Sequence, residues 1–182
     1  MTPPAAVIVL AAGEGTRMKS ATPKVLHQVC GRSLVGHVVT TAESIDAGQV
    51  VVVLGHQRER VAAHLAESFP RVVTTVQAEQ NGTGHAVRVT LDQLADQGVT
   101  WDSGPVVVVS GDSPLLSEQT LELLIAEHES AQAAVTVLSA ELPDPTGYGR
   151  IVRDSAGLVQ GIVEHKDATA EQLAIREVNS GM

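Results

Sequence analysis

Val7 to Lys24 reads V-I-V-L-A-A-G-E-G-T-R-M-K-S-A-T-P-K, and the rest of the chain is organised around it. The apolar run Ala5 to Leu10 is rich in β-branched residues and stops at Ala12-Gly13, so it predicts a fully buried strand feeding a glycine loop. In sheets of that kind a ligand sits outside the strand's carboxyl end. Gly13 and Gly15 let backbone N–H groups approach an anion closely and take φ > 0 without steric cost. Arg17, Lys19 and Lys24 add three cations within eight residues. The expected ligand therefore carries phosphate.

Two familiar phosphate loops fit poorly. A dinucleotide fingerprint requires a third glycine where this chain has Met18, and a P-loop requires Gly-Lys-Ser/Thr where it has Met18-Lys19-Ser20. The stretch instead resembles the L-x-x-G-x-G-T-R-M-x-x-x-x-P-K signature of sugar-nucleotide pyrophosphorylases, matched at Leu10, Gly13, Gly15, Thr16, Arg17, Met18, Pro23 and Lys24. That resemblance implies a loop backbone (Leu10, Ala11, Ala12, Gly13, Gly15, Thr16) that embraces a nucleoside triphosphate. Arg17 and Lys24 would grip its phosphates as the catalytic cations.

With 182 residues the chain is long enough for one domain with a large core, and residues 1–182 are read as a single domain. An aromatic content of 2% predicts a core packed from Ala, Val and Leu. The net charge of −9, set against a locally basic loop, argues against nucleic acid as a partner and for a small anionic substrate focused at one place. Cys30 is the only cysteine, which excludes an internal disulfide and cysteine-built metal sites and favours a reducing compartment. The first apolar run is too short to span a membrane and no Lys or Arg precedes it, although Ala-Ala-Gly could pass for a cleavage site. A cytoplasmic protein with no membrane partner is the expectation.

Along the chain, strands alternate with helices. Strands are predicted over 49–54, 72–76, 106–109 and 134–138, and helices over 34–45, 57–68, 83–94 and from a Ser117 cap to about Glu129. Residues 25–29 fit a short strand or a turn. Nearly continuous apolar strands alternating with helices predict an α/β fold, a doubly wound, Rossmann-like, mostly parallel sheet with right-handed crossovers. From Gly149 to Val163 the pattern changes to an antiparallel hairpin turning at Asp154-Ser155-Ala156-Gly157.

Two later motifs carry chemistry on their residue types alone. Gln77 to His85, Q-A-E-Q-N-G-T-G-H, is a polar loop after the third strand. A primary amide such as Gln77 offers a donor and an acceptor side by side, as the edge of uracil requires. Gly82 and Thr83 let main chain approach the base, and Thr83 opens a helix with free N–H groups. Asp112, in Ser110-Gly111-Asp112-Ser113-Pro114-Leu115, places a carboxylate at a strand end where magnesium shared with phosphate oxygens would be held. No histidine pair has metal-ligand spacing, and the G-x-S-x-G elbow of a hydrolase is missing.

These motifs extend the resemblance. The loop Q-A-E-Q-x-G-T-x-H-A is similar to the uridine-selecting loop of uridylyltransferases, and G-D-x-P-L to the element whose aspartate binds Mg²⁺, with Ser110 departing from the aromatic residue usual before Gly-Asp. Gly147-Tyr148-Gly149-Arg150-Ile151, Glu164-His165-Lys166-Asp167 and Asn179-Ser180-Gly181, in this order, resemble the sugar-reading elements of N-acetylglucosamine-1-phosphate uridylyltransferases. The resemblance implies that backbone at Gly149, the Glu164 carboxylate and the Asn179 amide hydrogen-bond the sugar. It also implies a reaction of UTP with N-acetylglucosamine 1-phosphate that gives UDP-N-acetylglucosamine and pyrophosphate. Transfer to another sugar phosphate and a non-catalytic nucleotide-sugar binder remain the alternatives. In the bifunctional members of this group the uridylyltransferase domain continues further, supplies a second Mg²⁺ ligand, and is followed by an acetyl-transferring, trimerising β-helix. The 182 residues are accordingly expected to form an impaired enzyme, with a homotrimer only in the longer protein.

Overall fold

In strand β1 (Ala6–Ala11) the side chains of Ala6, Val7, Ile8 and Val9 are all fully buried. Because neighbouring side chains of a strand point to opposite faces, burial of all four means that both faces of this sheet are covered. The computed structural model describes residues 2–15, 18–101 and 103–182, so Thr16 and Arg17 of the glycine loop lie outside the described residues. These residues fall into two compact units, Met1–Gln132 and Ala133–Met182.

In the first unit a 3-10 turn at Lys24–Leu26 follows the glycine loop, and then a hairpin of β2 (Gln28–Val29) and β3 (Arg32–Ser33). Its tip is Cys30-Gly31, at φ of 51° and 79°, the φ signature of a type I′ turn. Helix α1 (Leu34–Ser44) starts where Ser33 Oγ accepts from Gly36 N at 3.0 Å. Next come β4 (Val50–Leu54), α2 (Arg58–Ser68), which stops short of Pro70, β5 (Val73–Val76), α3 (Thr83–Asp96) and β6 (Val106–Ser110). Helix α4 (Glu118–Ser130) is capped by Ser117, as the sequence predicts.

The four long strands pair in parallel in the order β5-β4-β1-β6, with Leu10 opposite both Val53 and Ser110. The chain thus moves outward from β1 to β5 and returns on the other side of β1. That reversal opens a crevice at the carboxyl ends of β1 and β6. Ile8, Ala12, Val53 and Ala86 of α3 pack beneath it, and burying a valine contributes roughly 1.5–3 kcal/mol. Val51, Val52 and Val53 are all fully buried, so this sheet is a rigid platform for the loops at its edge.

The second unit contains β7 (Ser139–Glu141), β8 (Arg150–Arg153), β9 (Val159–Val163), a 3-10 turn at His165–Asp167, α5 (Ala170–Leu173) and β10 (Glu177–Asn179). They form an antiparallel sheet in the order β7-β10-β8-β9, which includes the predicted hairpin. Asp154 Oδ1 shapes its turn by accepting from Ala156 N and Leu158 N, both at 2.9 Å. Glu177 accepts from Arg153 Nε (2.8 Å) and Nη2 (2.7 Å) and from Ser139 Oγ (2.7 Å), joining β7, β8 and β10.

One expectation is corrected. Ala134 to Leu138 is not a strand; the strand begins at Ser139 and belongs to the antiparallel sheet. A buried parallel strand needs cover on both faces, and Val135 is 77% exposed. Regular pairing starts only at Leu138, whose N–H donates to Met182 O and whose carbonyl accepts from Ser180 N. Among the described residues no helix is long and apolar enough to cross a membrane.

Candidate active site

The loops at the carboxyl ends of β1, β5 and β6 line one cleft of about 320 Å³. Strand β1 and its loop contribute Leu10, Ala11, Ala12 and Gly13; the loop after β5 contributes Gln77, Gln80, Gly82 and Thr83; and Lys24, Ser110 and Asp112 are among the other residues of the wall. Gly15 lies behind Lys24 at φ 63°, where an added Cβ would stand 2.6 Å from Lys24 Cβ. Glycine is therefore required there on two counts. Gly13 does not take the positive φ expected of it, and a Cβ there would meet open space, so neither backbone conformation nor packing requires glycine at this position.

Lys24 forms an ion pair with Asp112 Oδ2, and Ser110 Oγ donates to Asp112 Oδ1. Burial pushes the Asp112 carboxyl up, but the hydrogen bonds from Lys24 and Ser110 and the lysine charge outweigh it and hold the group below its ordinary value. The group is thus a carboxylate at neutral pH. Among the described residues no three His, Cys, Asp or Glu side chains gather as a metal cage. A lone ionised carboxylate beside this cleft suits magnesium, which is bound through one or two carboxylates together with water and substrate phosphates.

Gln77 is 4% exposed, and its Nε2 lies 3.2 Å from Gly82 O, to which it donates, and 3.1 Å from His85 Nδ1. With the nitrogen so engaged, Oε1 is the atom left to accept from a base. Helix α3 begins at Thr83, preceded by Gly82 at φ 91° with no side-chain cap, so N–H groups of its first turn are uncapped where Gly82 and Thr83 border the cleft.

The sugar-reading candidates all lie in the second unit, and the fold brings them together. A Cβ on Gly149 would stand 3.3 Å from Glu164 Oε1, so the carboxylate rests against that glycine. Gly149 O accepts from Asn179 N at 2.9 Å. Asn179 Oδ1 in turn accepts from Gly181 N at 3.0 Å, which fixes the plane of its amide. Three residues spread over a thirty-residue stretch of chain thus form one polar cluster, built by the pairing of β8 with β9 and β10.

Residues 7–174 match the MobA-like NTP transferase domain. The chain belongs to that family. Among curated relatives of this NTP transferase, the bifunctional protein GlmU of Streptomyces avermitilis is 65% identical over 180 residues, which are 98% of this chain and 36% of that protein. GlmU of Thermobifida fusca is 59% identical over 179 residues, 98% of this chain and 37% of that protein. The chain spans little more than a third of the length of these relatives. A UDP-glucose pyrophosphorylase solved with UDP-glucose shares the fold at a TM-score of 0.71 and 17% identity, covering 98% of this chain and 74% of that one.

For an NTP transferase the sequence leaves several contributors unassigned. The Ala12 carbonyl accepts from Gln80 Nε2 at 2.9 Å and from His56 N at 3.3 Å. A trans peptide points its N–H opposite its C=O, so holding that carbonyl sets the direction of the Gly13 N–H. Gly55 makes this possible: a Cβ there would stand 2.5 Å from Ala12 O. Arg60 Nη1 donates to Ala21 O at 2.6 Å and tethers the loop ahead of Lys24. The sequence signals were slight: a glycine closing the valine strand, a second glutamine in Q-A-E-Q, and one arginine on a polar helix face. Ser110 gives no signal by residue type.

Proposed function

We propose that this NTP transferase moves a uridylyl group from UTP to N-acetylglucosamine 1-phosphate. The observation that carries the reading is the convergence of three strand-end loops on one cleft, which puts a glycine loop, a Lys24–Asp112 pair and the Gln77 amide around a single ligand-sized space. The names of the GlmU relatives and the polar cluster at Gly149, Glu164 and Asn179 support the sugar half of the proposal. The two units would serve as one nucleotidyltransferase domain.

A phosphate oxygen of the sugar phosphate attacks the α-phosphorus of UTP, the bond from that phosphorus to the β-phosphate bridging oxygen breaks, and pyrophosphate leaves. The nucleophile is already an anion, so no protein base is needed. The protein's part is alignment and charge neutralisation. Lys24, with Arg17, offsets phosphate charge as it redistributes, and backbone amides of the Ala12–Gly15 loop add fixed donors. Asp112 would hold magnesium, which when bound supplies further neutralisation at the phosphates. Gln77 Oε1 would accept from the imide N–H of uracil, a donor that cytosine lacks at that position. Glu164 and Asn179 would bind a sugar that brings no charge on its ring and so needs fixed polar partners. Acetyl transfer and trimerisation are not assigned to these residues.

The test is pyrophosphate release with Mg²⁺ across a panel of nucleoside triphosphates and sugar 1-phosphates. The proposal expects release to be fastest with UTP and N-acetylglucosamine 1-phosphate. Equal or faster release with another pair would overturn the assignment.

A further inference from the structure

Arg150 is the largest fully buried side chain in the structure, 1% exposed, and among the described residues no carboxylate pairs with it. Its Nε is buried and has no hydrogen-bond partner. The exposed Asp144 carboxyl, held below its ordinary value first by the hydrogen bond from Thr146, also feels the Arg150 charge without forming an ion pair with it. Burying a guanidinium with no carboxylate in contact costs several kcal/mol, and a volume-matched apolar residue is often as stable or more so. The β8–β9 ladder alone does not call for a charge at this position.

What the guanidinium does touch is informative. Nη1 donates to the Tyr148 carbonyl, and Nη2 lies 3.4 Å from His165 Nδ1, which accepts when the ring proton is on Nε2. Tyr148 immediately precedes Gly149, and His165 immediately follows Glu164. On the backbone, Arg150 stands at the start of β8, opposite Val163 of β9 and Val178 of β10. One side chain therefore ties the turn that carries Gly149 to the turn that carries Glu164, beside the strand that carries Asn179.

We propose that Arg150 is a positioning residue, whose planar fork sets the separation between the Gly149 backbone and the Glu164 carboxylate and thereby tunes recognition of the sugar. The sugar role rests on the function proposed above; the tie itself does not. A lysine retains charge but cannot bridge two acceptors in one plane, and a methionine retains volume without charge. The tie therefore predicts that Arg150→Lys and Arg150→Met fail alike, whereas a purely electrostatic role would spare the lysine.

Two readouts separate the tie from the sugar assignment. Hydrogen exchange is followed at the amides of Tyr148, Asp167 and Asn179, which donate to Pro145, Glu164 and Gly149 respectively. In both variants, and more weakly in His165→Ala, exchange at these amides is expected to quicken by about tenfold while the β8–β9 ladder amides are unchanged. Unchanged exchange at all three would overturn the proposal whether or not the chain transfers uridylyl groups. Steady-state kinetics then expect KM for the sugar phosphate to rise by about tenfold, with KM for UTP within about twofold. Equal rises in both KM values, or full activity in Arg150→Met, would overturn it. Absence of uridylyl transfer both in the unmodified chain and in a longer form of it would defeat the proposed function and leave the exchange result to decide the tie.

Discussion

In the first unit β1 buries Ala6, Val7, Ile8 and Val9 completely, whereas β7 and β9 of the second unit carry no fully buried side chain and its largest buried group is the Arg150 guanidinium. Under the function proposed above, the contrast follows the chemistry asked of each. A triphosphate can be held by backbone N–H groups at the ends of strands, provided the strands do not move, so the first unit invests in a valine core covered on both faces. A neutral sugar ring has to be met by side chains at set separations. A small sheet obtains those from polar ties, Arg150 to Tyr148 and His165, and Glu177 to Arg153 and Ser139.

The largest expected effect lies in the first unit. Lys24→Ala removes the cation opposite Asp112 and is expected to lower kcat on the order of 100-fold with a much smaller change in KM for UTP. Steady-state assay of uridylyl transfer checks this, and an unaltered kcat would remove Lys24 from the reaction. Next in size is a test of the rigid platform. Gly55→Ala drives a methyl against the Ala12 backbone, which has no flexible end to yield, and should cost about 1–3 kcal/mol in a denaturant melt. Gly13→Ala, which meets nothing within 4 Å, should leave the midpoint where it was. A reversed order would show that the loop does not rest on Gly55.

How much of this was legible in the sequence follows the same division. The valine run Val50–Leu54 is unambiguous because a strand buried on both faces is apolar without interruption, and Val106–Val109 reads the same way although only Val107 and Val109 are buried. The cleft residues were legible because glycine, lysine and aspartate at strand ends have few other uses. Ala134 to Leu138 misled because an apolar run predicts burial but not which sheet provides it, and Val135 stays in solvent. Gly55, Gln80 and Arg60 were not assigned because they act on the backbone of residues far away in sequence, and nothing local records that partner. Arg150 was visible only as one letter of a motif.

A smaller effect is expected for base choice. Gln77→Ala removes the buried amide and should narrow the UTP/CTP ratio of kcat/KM by about tenfold, corresponding to roughly 1–3 kcal/mol for a polar edge left unmet. An unaltered ratio would place base selection elsewhere in the loop. The smallest effect concerns the polar ties of the second unit. Hydrogen bonds from Arg153 and then Ser139 hold the Glu177 carboxyl down to about 2. A depressed carboxyl stabilises the fold above its unfolded value, near 4.3, and that contribution is lost as pH falls toward about 2. Glu177→Gln should therefore flatten the acid limb between about pH 4 and pH 2 by lowering stability modestly at neutral pH, with the two proteins converging as pH falls toward about 2. Tyr148 in the second unit and Trp101 in the first, each the only residue of its type, allow the two to be followed separately by near-ultraviolet absorbance. Identical acid limbs in the two proteins would mean that this tie does not contribute.

The hairpin tip at Cys30-Gly31 has a practical consequence. The chain's one thiol is exposed, on a turn whose positive φ angles confine the backbone, and that hairpin begins directly after the 3-10 turn that carries Lys24. A maleimide dye or nitroxide added to the unaltered protein would label that single position. Its anisotropy or line width would then track the Lys24 segment as nucleotide is added, giving a time-resolved view of loading without an engineered cysteine.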